Sequence, residues 1–215
     1  MSSTEADKNR WLIALSAVAI HLSIGSIYAY SIYQNPLNST VGWATSDVTL
    51  AFTVAIFILG ITAAFFGIFV ERYGPRIAGL TTAAVLFGLG TVGAGVSVQL
   101  GSLPLFLATF GVTGGMGLGI GYISPISTLV DWFPDRRGMA TGLAVMGFGA
   151  GALVTGPIGN FLIQNSPIPI AFYGLGVGYF VLMASGASYL ETPRTGGSLQ
   201  GLTRRTSTRT PAKAN

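Results

Sequence analysis

Uncharged, mostly apolar segments fill the larger part of this 215-residue chain, and the charged positions fall into a few short clusters. Apart from a lone Asp47, the residues Asp, Glu, Lys and Arg occur only at 5–10, 71–76, 131–137 and from 191 onward. The stretches without any of them are 11–46, 48–70, 77–130 and 138–190. A helix that crosses about 30 Å of hydrocarbon needs roughly 20 residues, so each stretch can cross a bilayer at least once.

The lengths of these stretches predict six membrane-spanning helices. The 23 residues of 48–70 accommodate one helix, and the stretches of 54 and 53 residues accommodate two each. Turn-forming residues at 99–104 and 164–167 divide the two long stretches near their middles. The first stretch is interpreted as one helix followed by a polar loop over 34–46. We therefore expect an all-α membrane protein with helices at about 11–33, 47–70, 77–98, 103–130, 139–163 and 168–190.

The composition supports a membrane location and excludes several other classes. Half of the residues are apolar, 8% are charged, and the mean hydropathy is +0.63, whereas a soluble domain carries about 25% charged residues. The absence of cysteine excludes a disulfide scaffold, a zinc finger and a thiol nucleophile, and a single histidine disfavours the usual metal sites. We expect no metal, no cofactor, no enzymatic activity and no nucleic-acid partner, and the lipid bilayer is the first expected partner.

The basic residues predict the orientation. With six helices, all eleven Lys and Arg residues lie on one side of the membrane, and this side is the cytoplasm by the positive-inside rule. We expect a multi-pass protein of the cell membrane with a cytoplasmic segment at 1–10, a transmembrane domain at 11–190 and a cytoplasmic tail at 191–215. The tail is basic and has no apolar periodicity, which predicts disorder.

Glycine is abundant, with 31 residues, and its spacing predicts close helix contacts. Helix 4 contains the pairs Gly115/Gly119 and Gly117/Gly121, and helix 5 contains Gly147/Gly151. Small residues four apart let the backbones of membrane helices approach each other.

The segment between helices 2 and 3 combines glycines, an acid and two arginines: Gly67, Glu71, Arg72, Gly74 and Arg76. An acid and arginines at a helix end can pair with a neighbouring helix in one gate state and release it in another. The alternative is a short charged loop that obeys the positive-inside rule. The segment resembles the signature of the major facilitator superfamily, with Glu71 in place of Asp and Pro75 in place of a basic residue.

Two further segments carry similar signals. The loop after helix 4 is interpreted as a second cytoplasmic anchor, formed by Asp135, Arg136, Arg137 and Gly138. Helix 5 then resembles the antiporter motif of the superfamily at Gly151, Gly156, Pro157 and Gly159. Pro157 lacks a backbone donor and permits a kink, although an ordinary kinked helix would look the same.

Four short segments together resemble the oxalate–formate antiporter family: 9–11, 33–36, 73–76 and 132–138. The resemblance extends from residue 9 to about 190. The resemblance implies the N-terminal six-helix half of a twelve-helix exchanger of small organic anions, such as oxalate, formate or other monocarboxylates, which works by alternating access. It also implies that Tyr28, Tyr122 and Phe148 face the substrate cavity. The oxalate exchangers carry tyrosine where this chain has Phe148, so monocarboxylates are favoured over oxalate.

Helix 1 contains the only histidine, His21. At 100° per residue, His21, Gly25 and Tyr28 share one stripe, while Tyr30 and Tyr33 lie on the opposite face. A histidine at mid-membrane is a candidate for function, here in the substrate cavity; a neutral imidazole hydrogen-bonded to a neighbouring helix is an equal alternative. Tyr30 and Tyr33 are expected to pack or to lie at the membrane interface.

No Lys or Arg occurs within the predicted helices, so this half offers a carboxylate no fixed countercharge. The expected partners are a small carboxylate substrate and either a missing C-terminal six-helix half or a second copy of the chain. One hypothesis is a truncated product without activity of its own, because a one-base frame shift through 196–201 could encode a Trp-Leu-Pro-Ala-Gly sequence similar to the one that follows helix 6 in the family. A half-transporter acting as a homodimer and, much less favoured, an intramembrane protease complete the alternatives.

The predicted orientation can be measured because the chain contains no cysteine. We expect a membrane-impermeant maleimide added to intact cells to label the variant Ser102→Cys, whose site lies between helices 3 and 4. The variant Arg136→Cys should be labelled only after the membrane is permeabilised. Labelling of Arg136→Cys in intact cells would contradict the predicted topology.

Overall fold

The computed structural model describes residues 9–77 and 83–193, and all regular structure in these ranges is helical. Six helices follow one another, which confirms the predicted all-α class: α1 Arg10–Val41, α2 Thr45–Ile77, α3 Val85–Gln99, α4 Leu103–Trp132, α5 Arg137–Asn165 and α6 Ile168–Tyr189. Among the described residues, five helices are long and apolar enough to cross a membrane, and α3 is shorter. The predicted disorder of the tail concerns residues that, from 194 on, lie outside the described ranges.

Helix α1 is longer than the sequence predicted, and the expected loop over 34–46 is wrong. An α-helical part, Arg10–Ile24, continues as a 3₁₀ segment, Gly25–Tyr33, and then as a second α-helical part, Gln34–Val41. Pro36 lies in the first turn of that last part, where a missing N–H group costs little. The helix ends only at Gly42, whose φ of 73° is left-handed.

The predicted turns at 99–104 and 164–167 are confirmed, whereas helix α2 continues through the expected loop at 71–76 to Ile77 and α3 begins only at Val85. Gly101 turns the chain between α3 and α4 with a φ of 64°, and the Ser102 side chain accepts a hydrogen bond from the Leu105 N–H group at the start of α4, at 3.4 Å. Ser166 and Pro167 connect α5 to α6. Turn-forming residues between two apolar stretches were therefore a reliable signal here.

Helices α2 and α4 run parallel and touch through glycines of α4. A Cβ atom placed on Gly115 would lie 2.8 Å from the carbonyl oxygen of Ala55, and one on Gly119 would lie 2.7 Å from that of Leu59. The contacting residue numbers rise together, so the two helices point the same way. This confirms that the predicted pair Gly115/Gly119 is a helix-packing site.

Helices α1 and α5 form a second parallel pair, held at least as closely. A Cβ atom on Gly25 would overlap the carbonyl group of Phe148, and one on Gly151 would overlap the carbonyl oxygen of Leu22. A Cβ atom on Gly147 would lie 3.1 Å from Cβ of His21. The predicted pair Gly147/Gly151 is thereby confirmed as a contact surface, and its partner is α1.

The remaining helices close the bundle in the same manner. Gly117 of α4 lies against the backbone of Phe87 in α3, and Gly121 lies against the side chains of Ile24 in α1, Ala83 just before α3 and Met183 in α6. Helices α3 and α6 are antiparallel, since Gly95 contacts Tyr173 and Pro169 while Gly88 contacts Gly176 and Phe180. Successive helices thus alternate in direction, and helices that are not neighbours in the sequence pack together. The result is one bundle with a shared core.

One end of the bundle gathers the start of α1, the α4–α5 loop and the residues after α6. An Arg10 Nη1 atom lies 3.5 Å from an Asp135 carboxylate oxygen, and the rings of Trp11 and Phe133 meet edge to face at 5.5 Å. The Trp132 Nε1–H group donates to the carbonyl oxygen of Glu191 at 2.6 Å. Because Arg10 and Asp135 are both about half exposed, their ion pair contributes at most about 1 kcal/mol.

The α1–α5 contact predicts the effect of single methyl groups. We expect Gly151→Ala to lower the free energy of unfolding by about 1–3 kcal/mol, because the new Cβ atom overlaps the backbone of α1. The matched control is Gly149→Ala on the same helix, where a Cβ atom meets nothing within 4 Å. Thermal unfolding in detergent, followed by size-exclusion chromatography, measures the difference. Equal stability of the two variants would show that the helices are not in close contact.

Candidate functional site

Three aromatic side chains from three helices meet on one side of the bundle. Tyr28 of α1 and Phe148 of α5 have ring centroids 5.1 Å apart, and Tyr122 of α4 lies 5.4 Å from Phe148, both edge to face. Tyr28 is 55% exposed, and the other two rings are half-buried. The structure thus brings together the residues that the sequence assigned to a substrate cavity, which we call the aromatic cluster.

The 3₁₀ segment of α1 sets which tyrosines face inward. A 3₁₀ helix has three residues per turn, so residues three apart lie on the same side. Ile27, Tyr30 and Tyr33 are buried, whereas Tyr28 and Ser31 are exposed. The winding therefore directs Tyr28 away from the core without any change in the direction of the helix.

Tyr30 and Tyr33 are packing residues, which is one of the two roles expected for them. The Tyr30 hydroxyl donates to the carbonyl oxygen of Val48 at 2.5 Å, and its ring lies 5.0 Å from that of Phe110. The Tyr33 ring stacks on Phe172 at 4.5 Å. Both side chains join α1 to its neighbours and take no part in the aromatic cluster.

His21 lies behind the aromatic cluster, one helical turn before Gly25. Its ring is 5.9 Å from that of Tyr122 and 6.4 Å from that of Phe148, and no part of the residue is exposed. The Nδ1 atom bonds the carbonyl oxygen of Ala17 at 3.1 Å. The backbone of Tyr122 lies near the ring, and the Nε2 atom has no partner within hydrogen-bond distance among the described residues.

The hydrogen bond that the geometry resolves for His21 joins it to its own helix, and the backbone of Tyr122 on the neighbouring helix α4 also lies near its ring. The acceptor, Ala17, lies on α1 four residues earlier. A buried polar nitrogen without a partner costs about 1–3 kcal/mol relative to one that is paired. His21 is therefore the one place in the cluster where the structure leaves a polar atom unpaired, within the described residues.

The cluster has the chemistry of a weak anion site. No charged residue occurs in 11–46, 103–130 or 138–165, the segments of α1, α4 and α5 around it. Tyrosine hydroxyls donate hydrogen bonds, and the edges of aromatic rings carry partial positive charge. A small carboxylate could accept hydrogen bonds from Tyr28 and Tyr122 and contact the edge of Phe148.

The charged motif at the end of α2 is placed only in part. Gly74 interrupts the helix with φ 80° and ψ 159°, a conformation that only glycine adopts easily. The Arg72 guanidinium lies 5.7 Å from the centre of the Tyr73 ring, and Arg72 and Arg76 are exposed. A Cβ atom on Gly67 meets nothing within 4 Å. The side chains of Glu71 and Pro75 lie outside the described residues, so the pairing of Glu71 stays a prediction.

The antiporter-like segment lies within an uninterrupted α5. Gly151 contacts α1, and Gly159 lies against the Ile32 side chain, whereas Gly156 has open space and Pro157 is exposed. In the second anchor, Arg136 Nε is 3.7 Å from Asp135, Arg137 begins α5, and Gly138 is exposed. The residues of this second anchor lie at the Arg10 end of the bundle, away from the aromatic cluster.

Some contacts had no signal in the sequence. The Tyr179 hydroxyl lies 3.2 Å from Thr155 Oγ1 inside the bundle, and the Trp132 indole reaches Glu191. Each contact joins residues on helices or ends whose relative position only the fold determines. No local pattern distinguishes such a tyrosine or tryptophan from its neighbours.

Comparison with known proteins identifies the relatives of this bundle. The family model described as Major Facilitator Superfamily matches residues 13–213. The oxalate:formate antiporter of Oxalobacter formigenes is 31% identical over 180 residues, and apicoplast pyruvate carrier 1 of Toxoplasma gondii is 43% identical over 61 residues. The inward-open structure of the xylose transporter XylE from E. coli superimposes with a TM-score of 0.73 at 20% identity, which shows the fold.

The chain spans about half the length of the antiporter and of the xylose transporter. The alignment to the Oxalobacter antiporter covers 81% of this chain and 41% of the antiporter. The superposition on the xylose transporter covers 94% of this chain and 53% of that one. The match to the pyruvate carrier covers 28% of this chain and 11% of the carrier.

The exposure of Tyr28 can be tested by thiol labelling. We expect Tyr28→Cys to react readily with a charged, membrane-impermeant thiosulfonate in proteoliposomes, because position 28 is exposed. The charged reagent should reach it without crossing lipid. Ser26→Cys, two residues earlier, should react far more slowly because Ser26 is 6% exposed. Equal rates at the two positions would contradict the prediction that Tyr28 faces a water-filled cavity.

Proposed function

The chain belongs to the major facilitator superfamily, and on this premise we propose that it supplies six helices of a carrier for small carboxylates that works by alternating access. It is a multi-pass membrane protein. The observation that carries the proposal is the aromatic cluster, in which helices α1, α4 and α5 place the Phe148 ring 5.1 Å from that of Tyr28 and 5.4 Å from that of Tyr122. The similarity to the oxalate:formate antiporter over 81% of the chain supports the same substrate class.

The cluster favours a monocarboxylate, such as formate, over oxalate. Tyr28 and Tyr122 offer two hydroxyl donors, which matches the hydrogen-bonding capacity of one carboxylate group. Phe148 stands between them and adds a ring edge but no donor. A second carboxylate group would lose its bound water and find no further hydrogen-bond donor in this half. Such desolvation costs several kcal/mol.

The proposed transport cycle places the moving contact at the end of α2. Gly74 interrupts the helix near its end, and Glu71, Arg72 and Arg76 are proposed to bind a neighbouring helix end when the cytoplasmic side is closed. The backbone dipole of a helix makes its C-terminus negative and its N-terminus positive. A neighbouring helix end can therefore attract either the arginines or the Glu71 carboxylate. Release of these contacts would open the site to the cytoplasm.

The partner that completes the cavity is proposed to be a second six-helix unit in the same orientation. Tyr28 faces outward from the bundle, so one half by itself forms only one wall of a site. The unit could be a C-terminal half or a second copy of this chain, since six helices place both ends of each unit on one side. We propose the cell membrane as its location, with both termini in the cytoplasm and exchange as the transport mode.

Transport can be measured in proteoliposomes. We expect vesicles that contain the protein and internal formate to take up labelled formate, whereas vesicles without internal formate take up little. Replacement of Tyr122 by Phe removes one hydroxyl that is proposed to bind a charged group, which is worth about 1.5–3 kcal/mol. The half-saturating formate concentration should therefore rise by about 10- to 100-fold. Tyr33→Phe is the control, because Tyr33 stacks on Phe172 away from the cluster.

The same assay separates the two possible partners. Exchange by the chain alone, together with a crosslinked parallel dimer, supports the second copy. Exchange only after co-expression with the C-terminal half of the Oxalobacter antiporter supports a C-terminal half. If neither arrangement binds or exchanges formate, the proposed function is wrong.

A further inference from the structure

We infer that His21 is the proton-binding residue of this site, so that a carboxylate binds to the aromatic cluster together with one proton on Nε2. The inference rests on the proposed function and adds the countercharge that this half otherwise lacks. It starts from one observation: the Nε2 atom is the single buried side-chain nitrogen or oxygen without a partner in the described part of the chain.

The hydrogen bond of Nδ1 fixes the tautomer of the neutral ring. The carbonyl oxygen of Ala17 can only accept, so Nδ1 carries the hydrogen that bonds it at 3.1 Å. In the neutral ring, Nε2 then has a free lone pair. His21 is thus held as a base, and its ring lies beside those of Tyr122 and Phe148.

The surroundings of His21 offer no other charge to bind an anion or to hold the proton. On α1 and on the helices packed against it, α4, α5 and α6, charged residues occur only at the helix ends, at Arg10, Asp131 and Arg137. The other residues of these helices that can titrate, besides His21, are tyrosines: Tyr28, Tyr30, Tyr33, Tyr122, Tyr173, Tyr179 and Tyr189. Of these, Tyr122 is in ring contact with His21. A proton on Nε2 would therefore be the only positive charge close to the cluster.

Two aromatic rings stand beside the imidazole. The centroids of Tyr122 and Phe148 lie 5.9 and 6.4 Å from that of His21, with the ring planes nearly perpendicular. An imidazolium in this position would be buried, and a buried charge is stable only when it is paired. A carboxylate held by Tyr28 and Tyr122 would supply the opposite charge on the other side of the rings.

Binding and protonation are then linked in both directions. The proton comes from water, binds to the Nε2 lone pair and gives a net neutral pair with the carboxylate. The carboxylate raises the protonated fraction of His21 at a given pH. A lower pH in turn raises the affinity for the carboxylate, by about tenfold for each pH unit in the range where the free ring is neutral.

The single histidine makes the test direct. The full 215-residue chain is labelled with ¹⁵N-histidine and reconstituted in nanodiscs with the partner unit that supports exchange, which is left unlabelled. The sample then gives one pair of imidazole nitrogen signals. The probe is formate, and its uncharged analogue formamide is the ligand control. We expect the Nε2 signal to move from the range of a non-protonated nitrogen to that of a protonated one when formate is added, and to stay unchanged with formamide.

Two variants report the same linkage through affinity. His21→Gln cannot take up a proton, so formate binding should lose its dependence on pH between 6 and 8. Ser23→Ala is the matched control on α1, since the Ser23 hydroxyl bonds only the Ala19 carbonyl of its own helix in the structure. It should keep the dependence of the unchanged chain.

Labelled tyrosine signals from the same sample separate this inference from the proposed function. If the signals of Tyr28 and Tyr122 respond to formate while Nε2 stays non-protonated, the role of His21 is refuted and the carboxylate site remains. If neither the tyrosines nor His21 respond, both ideas fail for this chain. A ring that is already protonated without formate, and does not change with it, also overturns the inference.

Discussion

Close contact between helix backbones is the constraint on which the rest of this bundle depends. A membrane interior offers neither water to satisfy exposed peptide groups nor a strong hydrophobic force between helices, so the helices associate mainly by packing. Here the packing surfaces are glycines. Gly25 and Gly151 bring α1 against α5, and Gly115 and Gly119 bring α4 against α2. The aromatic cluster exists because α1 and α5 approach closely enough for the Tyr28 and Phe148 rings to touch.

Much of the architecture could be predicted because each signal depended on a local physical need. Charge-free lengths set the number of helices, and Gly101 and Ser102 marked a turn that their conformations confirm. The loop assigned to 34–46 was wrong because Asn35, Asn38 and Ser39 are polar but helical. Polar residues at the end of a membrane helix can reach the interface, where water satisfies them, so polarity alone does not end the helix there.

The site was harder to predict than the fold. The stripe formed by His21, Gly25 and Tyr28 was visible from the spacing, and the structure brings these residues to α5. The partner of His21 could not be derived, since it depends on the side-chain rotamer and on how near α4 lies. The same holds for the hydrogen bond between Tyr30 and Val48, which joins two helices through one hydroxyl group.

The parallel pairing of α1 with α5 has a consequence for how the protein is made. Gly25 and Gly151 are separated by more than a hundred residues, so α1 enters the membrane well before its partner is synthesised. At typical rates of translation this delay is on the order of ten seconds. During that time the glycine face of α1, with the histidine beside it, lies unprotected among lipids or against the insertion machinery. Membrane chaperones and quality-control proteases would therefore meet α1 at the stage when it is least stable.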